Sequence, residues 1–473
     1  MDDLALLLQR LSGLEAPLEV PLERIEALPR YVSCGRVTRI VGLVLEASGL
    51  EAAVGDLCRV TTLDGKNEVE CEVIGFTEGG PRISGQEGTA QGNRALLMPF
   101  GELGGLSPGS TVEILHREAA VEVGPGLLGR VIDARGAPLD GKGPIVWESR
   151  RSLASAPINP LSRVPIETPL PTGVRAIDGP LTIGRGQRVG IFSGSGVGKS
   201  TLLGMIARGT SADLNVIALV GERGREVPEF IRESLGPEGL ERSVVVVATG
   251  DVSALLRARA AQVAMAIAED FRAGGANVLL MVDSITRVAT AWREIGLAAG
   301  EPPTTKGYPP SVFSRLPRLL ERAGSDGTGT ITGVYTVLVE GDDFNEPIAD
   351  AVRSILDGHI VLSRDLAIAG HLPAVDVLQS VSRLRDRVLP ESYQRIVQGL
   401  QRLTAAYRDK EDLIAVGAYQ HGSDPLVDRA IQMREPIAKF LRQSPDDLSS
   451  WQDTLSELDA LAIEMKQIAE ALA

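Results

Sequence analysis

Residues Arg188–Leu203 read RVGIFSGSGVGKSTLL. The apolar run Val189–Phe192 predicts a strand, and Ser193–Gly198 predicts a glycine-rich loop. Lys199 and Ser200 then open a run of helical character. Strand, loop and helix in that order are the context a phosphate-binding P-loop requires. Gly194, Gly196 and Gly198 let backbone N–H groups turn inward onto phosphate oxygens, with Ser195 and Val197 between them. Lys199 supplies a point charge for the β- and γ-phosphates, and the hydroxyl of Ser200, followed by Thr201, suits Mg²⁺. The pattern GxxxxGK[ST] departs at one place, because its first glycine falls on Ser193. Serine is small enough to leave such a loop intact.

A phosphate loop needs carboxylates for the metal and for water. The run Val278–Asp283, VLLMVD, is an apolar strand ending in an acid, and Asp283 is the candidate Mg²⁺ partner, directly or through water. Glu222 stands just past the run Val216–Val220, in GERGRE. Ligands of open α/β sheets sit at the carboxyl ends of strands, so Glu222 could polarise an attacking water. It could equally be a solvated turn acid paired with Arg223 or Arg225.

Outward from this centre, Val189–Phe192, Val216–Val220, Val244–Ala248, Val278–Val282 and Ile331–Leu338 are short continuous apolar runs. Runs without alternation predict strands buried on both faces of a parallel sheet, and the helical stretch Ala254–Phe271 between two of them predicts an α/β domain. Earlier in the chain the pattern is different. Gly35–Leu45, Leu57–Val60, Val69–Gly75 and Val112–Ile114 largely alternate apolar and polar residues, which suits a small barrel or sandwich. Glu78–Gly92, EGGPRISGQEGTAQG, reads as a long hairpin loop. In residues 1–14, Leu4, Leu7, Leu8 and Leu11 recur at helical spacing, for a helix that either packs on its own domain or docks a partner. After about residue 389 the chain turns helical, with Ser449 and Gln452 spaced as a capping box. Trp451, Leu455, Leu458, Leu461 or Ala462, Met465, Ile468 and Leu472 follow as an apolar stripe suited to a core or a subunit contact. The resulting division is a terminal segment (1–27), a β-barrel (28–118), a nucleotide domain (119–388) and a helical domain (389–473).

Composition excludes several classes. The net charge of −14 and an aromatic content of 4% disfavour nucleic acid, which needs basic grooves and stacking platforms. Cys34, Cys58 and Cys71 form no CxxC pair, and the four histidines are scattered, so neither a disulfide framework nor a zinc site is expected. The cysteines read as small buried residues in a reducing compartment. The start, MDDLALLLQRL, has no basic n-region, and no apolar run approaches the ~20 residues of a membrane helix. The expectation is a soluble cytoplasmic protein with no direct membrane span.

Six segments in order carry a family resemblance: SGSGVGKST, GERGREV, VLLMVDSITR, GEPPTTKGYPPSVFSRLPRLLERAG, LVEGDDFNEPIADAVRSILDGHIVLSRDLA and DVLQSVSR. With GAYQHGSDPLVD at Gly417–Asp428, the chain resembles the ATPases of type III protein export, most closely the flagellar branch, which are related to rotary ATP synthase subunits. The resemblance runs from about Tyr31 to the C-terminal helix. It implies a RecA-like P-loop domain between an N-terminal β-barrel and a C-terminal helical domain, hydrolysing ATP with Mg²⁺. It implies Glu222 as general base, Arg223 in support, and Arg383 of SVSR as an arginine finger acting on the neighbouring subunit of a homo-hexamer. It further implies a stator-like regulatory protein at the N-terminal helix and a coiled-coil stalk protein facing Gly417–Asp428. Membrane proteins of an export gate and chaperone–cargo complexes complete the implied partners, with the enzyme peripheral at the inner face of the membrane.

Two features depart from the family pattern, the long glycine-rich loop Glu78–Gly92 in the barrel and one position near the base site. Family members commonly carry an aromatic residue that stacks on adenine between the His and Pro of His371–Leu372–Pro373, where this chain has Leu372. Weaker base stacking, and relaxed selectivity for ATP, is the expectation. Competing readings are the injectisome version of the enzyme, a non-catalytic ring subunit and an RNA-translocating hexamer. The presence of Lys199, Asp283 and Glu222 together argues against the second, and the charge against the third.

Overall fold

The computed structural model describes residues 34–77, 94–339, 341 and 343–471. The terminal helix read from Leu4, Leu7, Leu8 and Leu11 lies outside the described residues, as does the loop Glu78–Gly92.

Six strands close into an antiparallel barrel in the order β1-β2-β5-β4-β3-β6: β1 (Cys34–Val41), β2 (Val44–Ser48), β3 (Leu57–Thr61), β4 (Glu68–Thr77), β5 (Arg94–Pro99) and β6 (Thr111–His116). Alternation puts Val37, Leu45, Ala47, Cys58, Val60, Cys71, Val73, Leu97 and Val112 inside it. The single run expected at Gly35–Leu45 is two strands. They turn back at Gly42, whose φ of 56° is left-handed and open to glycine. β5 was not singled out from the sequence. Cys58 and Cys71 are buried directly opposite each other, but Cys34 is exposed, because it opens β1 at the barrel rim.

The second layer is a nine-stranded sheet in the order β17-β16-β10-β15-β13-β11-β12-β8, with β14 off this path against β15. Its members are β8 (Arg130–Asp133), β10 (Arg188–Ser193), β11 (Leu214–Val220), β12 (Ser243–Ala248), β13 (Asn277–Asp283), β14 (Gly324–Ser325), β15 (Thr330–Leu338), β16 (Gly358–Leu362) and β17 (Val381–Ser382). β7 (Ala120–Val123) and β9 (Ser149–Ser152) pair separately. From β8 to β16 the path is parallel, and only β14 and β17 run against it. The continuous apolar runs have the cause expected of them. In β11, Val216, Ala218 and Val220 enter one core while Ile217 and Leu219 enter the other, so both faces of the strand are buried.

The helices Ala254–Ala273 and Ile285–Ala298 cover the first face. Ser253 caps the former by accepting the Leu256 N–H at 3.4 Å. Beneath it, Glu269 and Arg322 form a doubly hydrogen-bonded ion pair, both contacts 2.8 Å, with side chains only 2% and 4% exposed. The helix Lys199–Gly209 lies on the second face, joined there by the C-terminal helices Glu391–Ala415, Pro425–Leu441 and Trp451–Ala471. Leu455, Leu458 and Leu461 are buried in this core, with Trp451, Met465 and Ile468 packed against it, so the described part of the stripe is core, and Leu472 lies outside the described residues. The cap of that last helix is Ser450 and not Ser449. The Ser450 hydroxyl accepts the Asp453 N–H at 3.2 Å, whereas Ser449 turns inward to Thr454 at 3.1 Å. Arg175 ties the helical domain down: its Nε donates to the Phe440 carbonyl at 3.0 Å and its Nη2 to that of Arg442 at 2.7 Å. No helix among the described residues is long and apolar enough to cross a membrane.

Candidate active site

Because β10, β15, β13 and β11 are parallel neighbours, their carboxyl ends share one edge of the sheet. Ser193 ends β10, Asp283 ends β13, and Glu222 follows β11 across Gly221. Gly221 has φ of 70° and lies so close to Arg287 that an added Cβ would meet its side chain at 3.0 Å. Glycine there lets the backbone turn Glu222 back over the sheet edge.

The loop after β10 runs straight into a helix beginning at Lys199. Gly196 and Gly198 adopt φ of 78° and 89°, and nothing lies within 4 Å of where their Cβ atoms would stand. Gly198 caps the helix without a side-chain hydrogen bond, so no capping side chain takes up the first-turn N–H groups. Val197 and Gly194 are buried, while Ser195, Ser200 and Thr201 are exposed. Ser193, at the first glycine position of the pattern, is 1% exposed, and its hydroxyl has no hydrogen-bond partner.

Three charges meet at one point. The Lys199 ammonium lies 2.5 Å from Asp283 Oδ1 and 3.5 Å from Glu222 Oε1. The same Asp283 oxygen accepts the Thr336 hydroxyl at 2.6 Å. Burial works against the ammonium, but the charges of Asp283 and Glu222 outweigh it and hold Lys199 above the usual lysine value. The Glu222 carboxyl is raised, first by burial and then by the Asp283 charge; Lys199 offsets part of this, and a hydrogen bond that protonated Glu222 donates to the Glu226 carboxylate adds to it. Arg223 points outward, 73% exposed, and pairs with Glu226 at 2.9 Å.

The residues present fit Mg²⁺ with a nucleotide. Among the described residues no group of three or more His, Cys, Asp or Glu could hold a metal. One carboxylate and one hydroxyl beside a phosphate cradle are the hard-oxygen set that Mg²⁺ completes with phosphates and water.

Arg383 is elsewhere. It follows β17, which pairs with the start of β16 through Ser382 and Gly358, while β16 meets Ser193 at its far end through Leu362. Four residues of strand, about 13 Å, separate those two ends. The Arg383 N–H is held by the Asp357 carbonyl at 3.0 Å, and its side chain is exposed. Leu372 is 47% exposed, and its carbonyl accepts the Gln443 N–H at 2.8 Å at the seam with the helical domain. Neither Thr336 nor Glu226 was picked out from the sequence. The run Ile331–Leu338 carries three hydroxyl residues, Thr332, Tyr335 and Thr336, so nothing along the chain set the last apart.

The nucleotide-binding domain of the ATP synthase alpha/beta family matches residues 173–382, and the T3SS EscN ATPase C-terminal domain matches residues 389–460. The chain is 51% identical to a flagellum-specific ATP synthase of Bacillus subtilis, over 93% of this chain and 98% of that protein. It is 49% identical to a type 3 secretion system ATPase of Xanthomonas euvesicatoria, over 95% and 98%. Among solved structures it is similar to the assembled ATPase EscN from the type III secretion system of enteropathogenic E. coli. The TM-score there is 0.83 at 45% identity, covering 90% of this chain and 99% of that one. A second structure, EscN in complex with its central stalk EscO, matches with a TM-score of 0.81 at 44% identity, over the same shares of the two chains.

Proposed function

Because this chain belongs to the family of flagellum-specific ATP synthases and type 3 secretion system ATPases, we propose that it is a Mg²⁺-dependent ATPase driving type III export of flagellar subunits. It acts by releasing or unfolding cargo from chaperones at the export gate, peripheral to the inner face of the membrane. The observation that carries the chemistry is the meeting of Lys199, Asp283 and Glu222 at 2.5 and 3.5 Å beside an open phosphate cradle.

In this reading the loop Ser193–Thr201 wraps the phosphates with backbone N–H groups, and Lys199 leaves its two carboxylates for the β- and γ-phosphates. Ser200 and Asp283 would hold Mg²⁺, which when bound would supply Lewis-acid neutralisation of phosphate charge. Glu222 orients the attacking water and accepts its proton. Burial and the Asp283 charge raise its pKa, which makes it a stronger base than an ordinary glutamate. Arg223 holds Glu226 beside that base. Arg383 stabilises the transition state in a neighbouring copy; its place at the opposite end of β16 from the P-loop, exposed, supports action between subunits. A ring of six, with a stalk protein at its centre near Gly417–Asp428 and a regulatory partner at the N-terminal segment, follows from this reading. The assembled EscN structures and the EscN–EscO complex support the ring and the stalk. Leu372 lines the base site and provides aliphatic contact in place of stacking.

The virulence version of the same machine is the second reading, favoured by the type 3 secretion relative at nearly equal identity. A strain lacking this chain decides between them. Loss of motility and of filament-subunit secretion, restored by wild type but not by Lys199→Ala, supports the flagellar reading. Retained motility with lost effector secretion supports the virulence reading, and no export defect at all refutes both.

A further inference from the structure

We infer that Thr336 is a positioning residue for Asp283: its hydroxyl occupies one carboxylate oxygen and leaves the other to face the cation. This rests on the reading of Asp283 as the metal acid. β13 and β15 are adjacent and parallel, with Val282 opposite Tyr335, so the next residues along, Asp283 and Thr336, share one face of the sheet. Thr336 is fully buried. Its hydroxyl has two acceptors in reach, Asp283 Oδ1 at 2.6 Å and the Val282 carbonyl at 3.4 Å. A hydroxyl has one proton to donate, and the short contact to a charged oxygen takes it.

The terminal torsion of an aspartate is soft, so a carboxylate at a strand end swings unless something pins it. Two groups pin Oδ1 here, Lys199 and Thr336. They differ in what nucleotide binding does to them. Lys199 stands at the mouth of the P-loop, on a flexible stem, and is drawn to phosphate. Thr336 is held on a central strand, away from solvent, and keeps its contact. In the loaded enzyme, therefore, the threonine is the group that maintains the carboxylate orientation. No donor among the described residues reaches Oδ2. That oxygen is the one available to Mg²⁺ or its water.

The test uses the full chain and a fluorescent ADP analogue, with and without Mg²⁺. Thr336→Val keeps the shape and deletes the hydroxyl, and Thr336→Ser keeps the hydroxyl. For Thr336→Val, metal-free nucleotide affinity stays within about twofold of wild type, while the midpoint of the Mg²⁺ titration rises roughly five- to tenfold, as loss of a hydrogen bond to a charged group predicts. Thr336→Ser returns the midpoint to within about twofold. Asp283→Asn is run beside them. If Asp283→Asn moves the midpoint and Thr336→Val does not, the positioning role is overturned and the reading of Asp283 stands. If neither moves it, the reading of Asp283 fails and takes this inference with it. An equal loss of metal-free binding in Thr336→Val marks a merely structural threonine and also overturns the inference. Thr336→Ala carries the same comparison should the valine variant not fold.

Discussion

Replacing Glu222 by Gln keeps the side-chain shape and removes one negative charge from the site. Both Glu222 and Asp283 reach the same ammonium, at 3.5 and 2.5 Å, so their nearest oxygens lie no more than about 6 Å apart. At an effective dielectric of about 20, two unit charges at that separation repel by roughly 3 kcal/mol. Glu222→Gln removes this repulsion and one negative charge facing the phosphates, so affinity for the anionic nucleotide is unchanged or higher. Hydrolysis behaves in the opposite way. Losing a positioned general base lowers kcat by about 10²–10⁴-fold, some 3–5 kcal/mol of barrier. The wild type adds a pH signature. Only ionised Glu222 can accept a proton, and its pKa is raised by burial and by Asp283, so the acid limb of kcat lies above the ordinary glutamate range. The activity that remains in Glu222→Gln loses that limb. Phosphate release at saturating Mg²⁺-ATP across pH, with nucleotide binding measured separately, checks all three. A variant that retains more than about a tenth of wild-type kcat refutes the base assignment, and one whose loss is matched by lost binding refutes the charge argument.

Other perturbations test different layers. Arg383→Ala and Lys199→Ala should each be nearly inactive, the former by about 10³–10⁵-fold. Mixed together they should regain activity, because a Lys199→Ala subunit lends its Arg383 to an intact P-loop next door; no recovery on mixing argues against action between subunits. Arg322→Ala strands the Glu269 carboxylate, leaving Arg151 at 3.7 Å as its remaining ion-pair partner. It should cost about 3–5 kcal/mol of stability, much of it returned by Arg322→Met with Glu269→Leu. Thermal unfolding midpoints of the single and double variants decide this, and an unchanged midpoint for the single variant would sink it.

Local chemistry was readable along the chain because its determinants are local. A glycine loop between an apolar run and a helix announces a phosphate cradle, and Val216–Val220 or Val278–Val282 could only be strands covered on both faces. Alternation likewise marked the barrel, although the turn at Gly42 was hidden inside an alternating run. The cap of the last helix slipped by one residue because two adjacent serines carry the same signal. What no reading of spacing could supply was the pairing of strands distant in sequence. The sequence left Glu222 open between a catalytic acid and a solvated turn acid; the alignment of β11, β13 and β10 with their carboxyl ends together is what sets Lys199 between Glu222 and Asp283. Thr336, 53 residues beyond Asp283, acquired its meaning only as a neighbour across a ladder of hydrogen bonds. Arg383 was one arginine among many until the antiparallel β17 placed it away from its own P-loop. Residue types set what chemistry is possible at each position; parallel strand order, driven by burying both faces of the sheet, decided which of those residues meet.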